Sequence, residues 1–151
     1  MQVALVTFSD TASIAFPLNR SHDNAIVKRL ILDTAKQGGT SVNITQALDK
    51  VLAEVLLPSN GARNIAVKVA YIVTGGGLDG DVNATESSAN QLKNEGLVIL
   101  GLGVGLNASD VDQLRRIVSL SERLLTVHQF SQLRGNDQLY DVVAESICNS
   151  S

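Results

Sequence analysis

The chain has 151 residues, a formal net charge of −3, a hydrophobic content of 44 % and an aromatic content of 3 %, with no Trp. That length suits one domain around a single core of Val, Ile, Leu and Ala. The acidic balance leaves no basic stripe to neutralise phosphates, which excludes nucleic acid as a partner, and no apolar run approaches the ~18 residues that span a bilayer.

Residues 1–6 lack a basic n-region and a small-residue cleavage site, so they are not a signal peptide, and any export signal is expected upstream of Met1. Residues 3–8 form an apolar run of strand length. A second short strand is expected at residues 13–16, after the Ser9-Asp10-Thr11 turn and before Pro17. So short a connection demands an antiparallel hairpin. Asp23 or Ser21 caps a helix with Ile26, Val27, Leu30 and Ile31 spaced for one face. Gly38-Gly39-Thr40-Ser41 reads as a loop. The next helix is expected over residues 43–57, with Ala47, Leu48, Val51, Leu52 and Val55 on one face and Pro58 ending it.

After the Ser59-Asn60-Gly61 turn, residues 65–73 read as a buried strand, which Thr74-Gly75-Gly76-Gly77 terminates. Residues 84–94 read as a helix closed by Gly96, and residues 97–102 as another buried strand. Ser109 is expected to cap a helix running to Val118, with Asp110 and Asp112 complementing its N-terminal dipole. A short strand at residues 124–127 and an amphipathic helix at residues 139–147 close the pattern. Apolar strands alternating with helices imply parallel pairing and an α/β architecture with helices on both sheet faces.

Asn19, Asn43, Asn83, Asn107 and Asn149 each head an Asn-x-Ser/Thr tripeptide, where chance in such a composition predicts about one or two. Such acceptors are used only in the secretory pathway, on exposed loops or helix ends. The excess points to an extracellular chain, secreted or the ectodomain of a longer protein. Cys148 is the single Cys, so it is either an inert thiol or half of a bridge to another chain.

Several segments, in series, carry a family resemblance. They are the strand and turn at residues 3–10, the loop and helix start from Gly38-Gly39-Thr40-Ser41-Val42-Asn43 to Asp49, and Ile72-Val73-Thr74-Gly75-Gly76. Asn90-Gln91-Leu92-Lys93-Asn94-Glu95-Gly96 and Leu100-Gly101-Leu102-Gly103-Val104-Gly105 follow in the same order. Together they resemble von Willebrand factor type A (VWA) domains. The resemblance implies a Rossmann-like, doubly wound, mostly parallel sheet with one antiparallel edge strand. It implies a VWA-like domain over residues 1–148 and a tail at residues 149–151.

The resemblance also implies departures. The family opens on a strand ending in Asp-x-Ser-x-Ser, which supplies the first ligands of a metal-ion-dependent adhesion site (MIDAS). This chain starts at the counterpart of the family's second strand, so the first strand and first helix are absent. The family's third ligand position falls on Val42 and its fourth on Gly75, and neither side chain offers an oxygen. Mg²⁺ demands near-octahedral oxygen coordination, and the neighbouring hydroxyls of Thr40 and Ser41 do not replace the missing charge. A degenerate site without metal or other cofactor is expected. In the family the missing strand lies between the counterparts of residues 3–8 and 65–73. Either the chain is a fragment of a longer gene product, or the gap closes by direct pairing of those two strands, giving the order 13–16, 3–8, 65–73, 97–102, 124–127, or else by dimerisation or strand completion from another chain.

Other motifs fail on inspection. Asp79-Gly80-Asp81-Val82-Asn83 imitates a calcium loop, but Ala84 and Asn90 stand where Gly and Glu are required. Gly101-Leu102-Gly103-Val104-Gly105 imitates a dinucleotide loop with Leu106 in place of the last Gly. His22, His128 and Cys148 make no legible triad, and Arg134-Gly135-Asn136 lacks the carboxylate of an integrin-binding tripeptide. The reading is a non-catalytic protein-binding module of adhesion or matrix type, with a matrix protein or collagen as partner. The alternative is a nucleotide-binding or enzymatic doubly wound domain. Ligands of open α/β sheets sit outside the carboxyl ends of the strands, which places Ser9, Asp10, Thr40, Ser41, Asn43, Gly75, Gly76 and Asp79 on the candidate face.

Overall fold

The computed structural model describes residues 1–134 and 137–148. Asn149 with the rest of the tail, and Gly135 and Asn136 of the tripeptide, lie outside the described residues. The chain divides into two compact units, Met1–Ala66 and Val67–Ser151.

In unit 1 the expected hairpin forms between β1 (Leu5–Phe8) and β2 (Ala12–Phe16), antiparallel, with Phe8 opposite Ala12 and an irregularity between Leu5 and Val6. α1 (Asn24–Asp33) is capped by Asp23, whose Oδ1 accepts from the N–H groups of Ala25 at 2.7 Å and Ile26 at 3.2 Å. Ser21 Oγ in turn accepts from the Asp23 N–H. Only Val27 of the expected α1 face is buried; Ile26, Ile31 and Leu32 are exposed, Leu32 at 74 %. The apolar stripe is real, but burial needs an opposing layer, and the buried side chains of unit 1 gather mainly where α2 (Ile44–Lys50) meets the hairpin: Ala12, Phe16, Ile44, Ala47 and Leu48. Beyond Lys50 the helix widens into one π-turn, Val51–Val55, rather than continuing as α-helix to Leu57. Leu57 is extended and Pro58 opens a 3₁₀ turn, as expected where a proline ring clashes with a helical predecessor.

Unit 2 holds β3 (Lys68–Thr74), α3 (Val82–Asn94), β4 (Leu97–Val104), α4 (Ala108–Ile117), β5 (Leu125–Val127) and α5 (Asp137–Cys148). The strands are parallel in the order β3-β4-β5. Every residue of β4 except Val98 is buried, the pattern of a central parallel strand covered on both faces. α3 buries Thr85, Ser88, Ala89 and Leu92, and α4 buries Leu114 and Ile117. Gly96 ends α3 with φ +78°, a left-handed conformation that glycine adopts without a Cβ penalty. The expected strand at residues 65–73 is shorter at its start, and Ile65 is 99 % exposed. The ladder begins at Lys68 opposite Leu97; Leu97 directly follows the Gly96 turn, so nothing upstream of it extends β4 to pair residues 65–67.

Mixed α/β architecture with a parallel sheet and a separate antiparallel pair is therefore the fold. All five strands fall into two ladders, β1-β2 and β3-β4-β5. Among the described residues neither ladder contains the expected direct pairing of the strands at residues 3–8 and 65–73, or the five-stranded order built on it. Each ladder contains the partners its connections deliver: β2 by a tight turn, β4 and β5 by crossovers through α3 and α4.

Leu92 and Ile99 are wholly buried. Replacing either with Ala should lower stability by about 2–5 kcal/mol, the cost of lost transfer energy plus a cavity. Leu32→Ala should stay within roughly 0.5 kcal/mol. Urea unfolding midpoints of the three variants test the burial pattern, which fails if Leu32→Ala costs as much as the core changes.

Candidate functional site

The face residues of unit 1 form one hydrogen-bonded cluster. Ser9 follows β1 and Asp10 sits in the hairpin turn. Asp10 Oδ1 accepts from the Thr40 N–H at 3.0 Å, the Ser41 N–H at 2.8 Å and the Ser41 hydroxyl at 2.7 Å. Ser9 Oγ donates to the Ser41 carbonyl at 3.0 Å, and the Asn43 N–H donates to the Ser9 carbonyl at 2.9 Å. Asn43 then caps α2 by accepting from the Gln46 N–H. A side chain at Gly39 would collide with Ser9 Oγ and the Asp10 carboxyl, so glycine there lets the loop close onto the turn. Asp10 is fully exposed, yet its carboxyl lies below its ordinary value of 3.8 because the Ser41 hydroxyl, the Ser41 N–H and the Thr40 N–H favour the charged form.

Gly75, Gly76 and Asp79 belong to a second group, in unit 2, on the loop that follows β3. The buried Thr74 hydroxyl donates to the Gly76 carbonyl at 2.8 Å and tightens the strand exit. A Cβ on Gly75 would lie 3.2 Å from Phe130 Cζ, and one on Gly77 would collide with the Asp110 carboxylate. The Leu78 N–H donates to Gln113 Oε1 at 3.1 Å. Phe130, Asp110 and Gln113 thus shape this loop, and sequence reasoning did not single them out as parts of the site. Only Asp110 carried a usable signal: Asn107-Ala108-Ser109-Asp110 has the spacing of a capping box. Asn107, not Ser109, is the N-cap of α4; its Oδ1 accepts from the Asp110 N–H at 2.9 Å, while Ser109 already lies inside the helix.

The resemblance assigns the third and fourth MIDAS ligand positions to Val42 and Gly75. Val42 and Gly75 bring no side-chain oxygen, Gly75 faces the Phe130 ring, and Asp10 commits Oδ1 to three loop donors. No cluster of three or more His, Cys, Asp or Glu suited to a metal occurs among the described residues. Asp81 of the calcium-loop imitation is the N-cap of α3. Gly101 and Gly103 lie within β4, where added Cβ atoms would crowd Val118, Leu124 and Leu106. Packing, not a phosphate loop, accounts for those two glycines. His22 bonds Gln2, and the His128 N–H bonds Gln132.

Four of the five glycosylation acceptors are described. Asn19 Nδ2 donates to the Ser59 carbonyl at 2.9 Å. Asn43, Asn83 and Asn107 instead use Oδ1, toward the Gln46 N–H, the Arg116 guanidinium and the Asp110 N–H respectively. Cys148 is an exposed thiol at the end of α5.

The model of the von Willebrand factor type A domain matches residues 1–139. The chain is 30 % identical to the collagen alpha-4(VI) chain of Mus musculus over 155 residues, 99 % of this chain and 6 % of that one. It is 30 % identical to Mus musculus integrin alpha-E over 103 residues, 68 % of this chain and 9 % of the other. Among solved structures it is similar to proximal thread matrix protein 1 from the mussel byssus with a zinc-occupied MIDAS motif, with a TM-score of 0.83, 26 % identity, and coverage of 91 % of this chain and 35 % of that one. The chain therefore spans a small part of each of these proteins.

Because the folded Asp10 carboxyl lies below its unfolded value, its hydrogen bonds stabilise the loop fully above that unfolded value and are lost as pH falls through the folded one. A carboxyl-detected NMR titration should place Asp10 below 3.8. Ser41→Ala should move it upward, since that change removes the largest contribution. An Asp10 that titrates at its ordinary value in the unaltered chain would refute the cluster.

Proposed function

We propose that this chain, which belongs to the von Willebrand factor type A domain family, is a non-catalytic, metal-independent protein-binding module of the extracellular matrix. The observation that carries this reading is the similarity to a collagen VI chain along 99 % of the sequence. Likeness to an integrin and to a byssal matrix protein supports the same setting. The partner class is a matrix protein, fibrillar collagen among them, and the location is extracellular, in agreement with the excess of glycosylation acceptors.

Each unit supplies its own contact surface, on a loop at the carboxyl end of one of its strands. In unit 1 it is the Asp10 cluster with Thr40, Ser41 and Asn43; in unit 2 it is Gly75, Gly76 and Asp79. Both offer backbone polar groups and short polar side chains. Recognition then rests on shape and hydrogen bonding, the mode that suits an extended protein ligand. Val42 at the family's third ligand position and Gly75 at the fourth support binding without a divalent cation. No observation favours the nucleotide-binding or enzymatic alternative.

Solid-phase binding of the purified chain to fibrillar collagen should be the same in excess EDTA as in Mg²⁺ or Mn²⁺. Binding abolished by EDTA, or no binding to collagen and other matrix proteins, overturns the reading. Calorimetry with Mg²⁺, Mn²⁺ and Ca²⁺ should show no stoichiometric site of micromolar affinity. The double change Val42→Thr and Gly75→Asp should not create one, because a side chain at 75 crowds the Phe130 ring.

A further inference from the structure

We propose that Asn107 carries an Asn-linked glycan that covers the unit 2 loop of residues 75–79, so that occupancy of this one acceptor regulates access to the binding face. The inference rests on the matrix-binding reading for its consequence, but its geometry stands apart from any partner.

Glycosylation joins Asn Nδ2 to the anomeric carbon of a pyrophosphate-linked oligosaccharide donor. The pyrophosphate leaves with the bonding electron pair, and one amide proton passes to a base. The amide oxygen and one N–H survive. An acceptor therefore suits the folded chain when the fold uses Oδ1 and leaves Nδ2 facing water. Asn107 meets that condition: it is exposed, and its structural task, capping α4, is done by Oδ1 alone. Neither the cap nor the helix has to change when the sugar is attached. Asn19 differs, because there the fold uses the nitrogen itself, as donor to the Ser59 carbonyl.

Contacts within unit 2 then set what the glycan covers. Asn107 holds the Asp110 N–H, the Asp110 carboxylate packs against Gly77, and Gln113, one helical turn further on, holds the Leu78 N–H. The loop of residues 75–79 is thus fixed against the first turns of the helix that Asn107 caps. Gly75, Gly76 and Gly77 project no side chain outward, so nothing of the loop itself would hold a bulky glycan away from it. The feature that leaves the loop open to a protein ligand also leaves it open to cover by a neighbouring sugar.

Ser109→Ala separates the glycan from the cap. Ser109 is exposed in the first turn of α4, and its loss destroys the acceptor tripeptide while Asn107 and its hydrogen bond remain; Ala also favours the helix. The chain is secreted from a glycosylating eukaryotic cell behind a heterologous signal peptide, in a Cys148→Ser background with Asp79→Cys as reporter. Intact mass should fall by one glycan in the Ser109→Ala form. Labelling of Cys at 79 by a polyethylene-glycol maleimide should be several-fold slower with the glycan than without it. An unchanged mass, showing that Asn107 is not occupied, or equal labelling rates with Asn107 occupied, overturns the proposal. Collagen binding by unglycosylated protein from bacteria tests the binding reading separately, so failure of one is distinguishable from failure of the other.

Discussion

Burial of β4, at every residue but Val98, is the constraint on which unit 2 depends. Leu97, Ile99, Leu100, Leu102 and Val104 are all buried, so the strand must be covered on both faces and flanked on both edges. β3 and β5 supply the edges, and α3 and α4 bring Ala89, Leu92, Leu114 and Ile117 as covering side chains. Gly101 and Gly103 let Val118, Leu124 and Leu106 approach the strand closely. The same parallel ladder ends β3 at Thr74, where the polypeptide turns through Gly75 and Gly76. The candidate loop of unit 2 is thus where it is because the ladder stops there.

Unit 1 is organised by a polar contact instead. One carboxylate oxygen, Asp10 Oδ1, collects three donors from a segment thirty residues further along the chain. Charge-assisted hydrogen bonds of this kind are stronger than neutral ones. This one fixes a glycine-bearing loop that has no regular structure of its own. Asn43 continues the chain of contacts from Ser9 into the start of α2. The hairpin turn and the helix start are therefore held as a single surface, although α1 and a loop separate them in sequence.

Both surfaces are polar. In unit 1 Val42 carries no side-chain oxygen and Asp10 Oδ1 is held by its own loop; in unit 2 Gly75 lies against the Phe130 ring. What is left is main chain, hydroxyls and amides at strand ends.

The sequence by itself determined the alternation of strands and helices, because periods of two and of 3.6 residues are local properties. It located the hairpin at Ser9-Asp10-Thr11, a helix start at Asp23 or Ser21, the Gly96 stop and the boundary at Pro58, where backbone chemistry acts within a few residues. Tertiary structure decided the rest. Ile26, Ile31, Leu32 and Ile65 have the spacing or neighbours of core residues yet are exposed, because burial depends on an opposing layer that no local pattern encodes. Which of Asn107 and Ser109 caps α4 turned on the backbone conformation at the helix entry. The approach of Phe130 to Gly75 and of Ser41 to Asp10 came from chain segments brought together by packing, and contacts between residues that far apart in sequence leave no periodic mark in it.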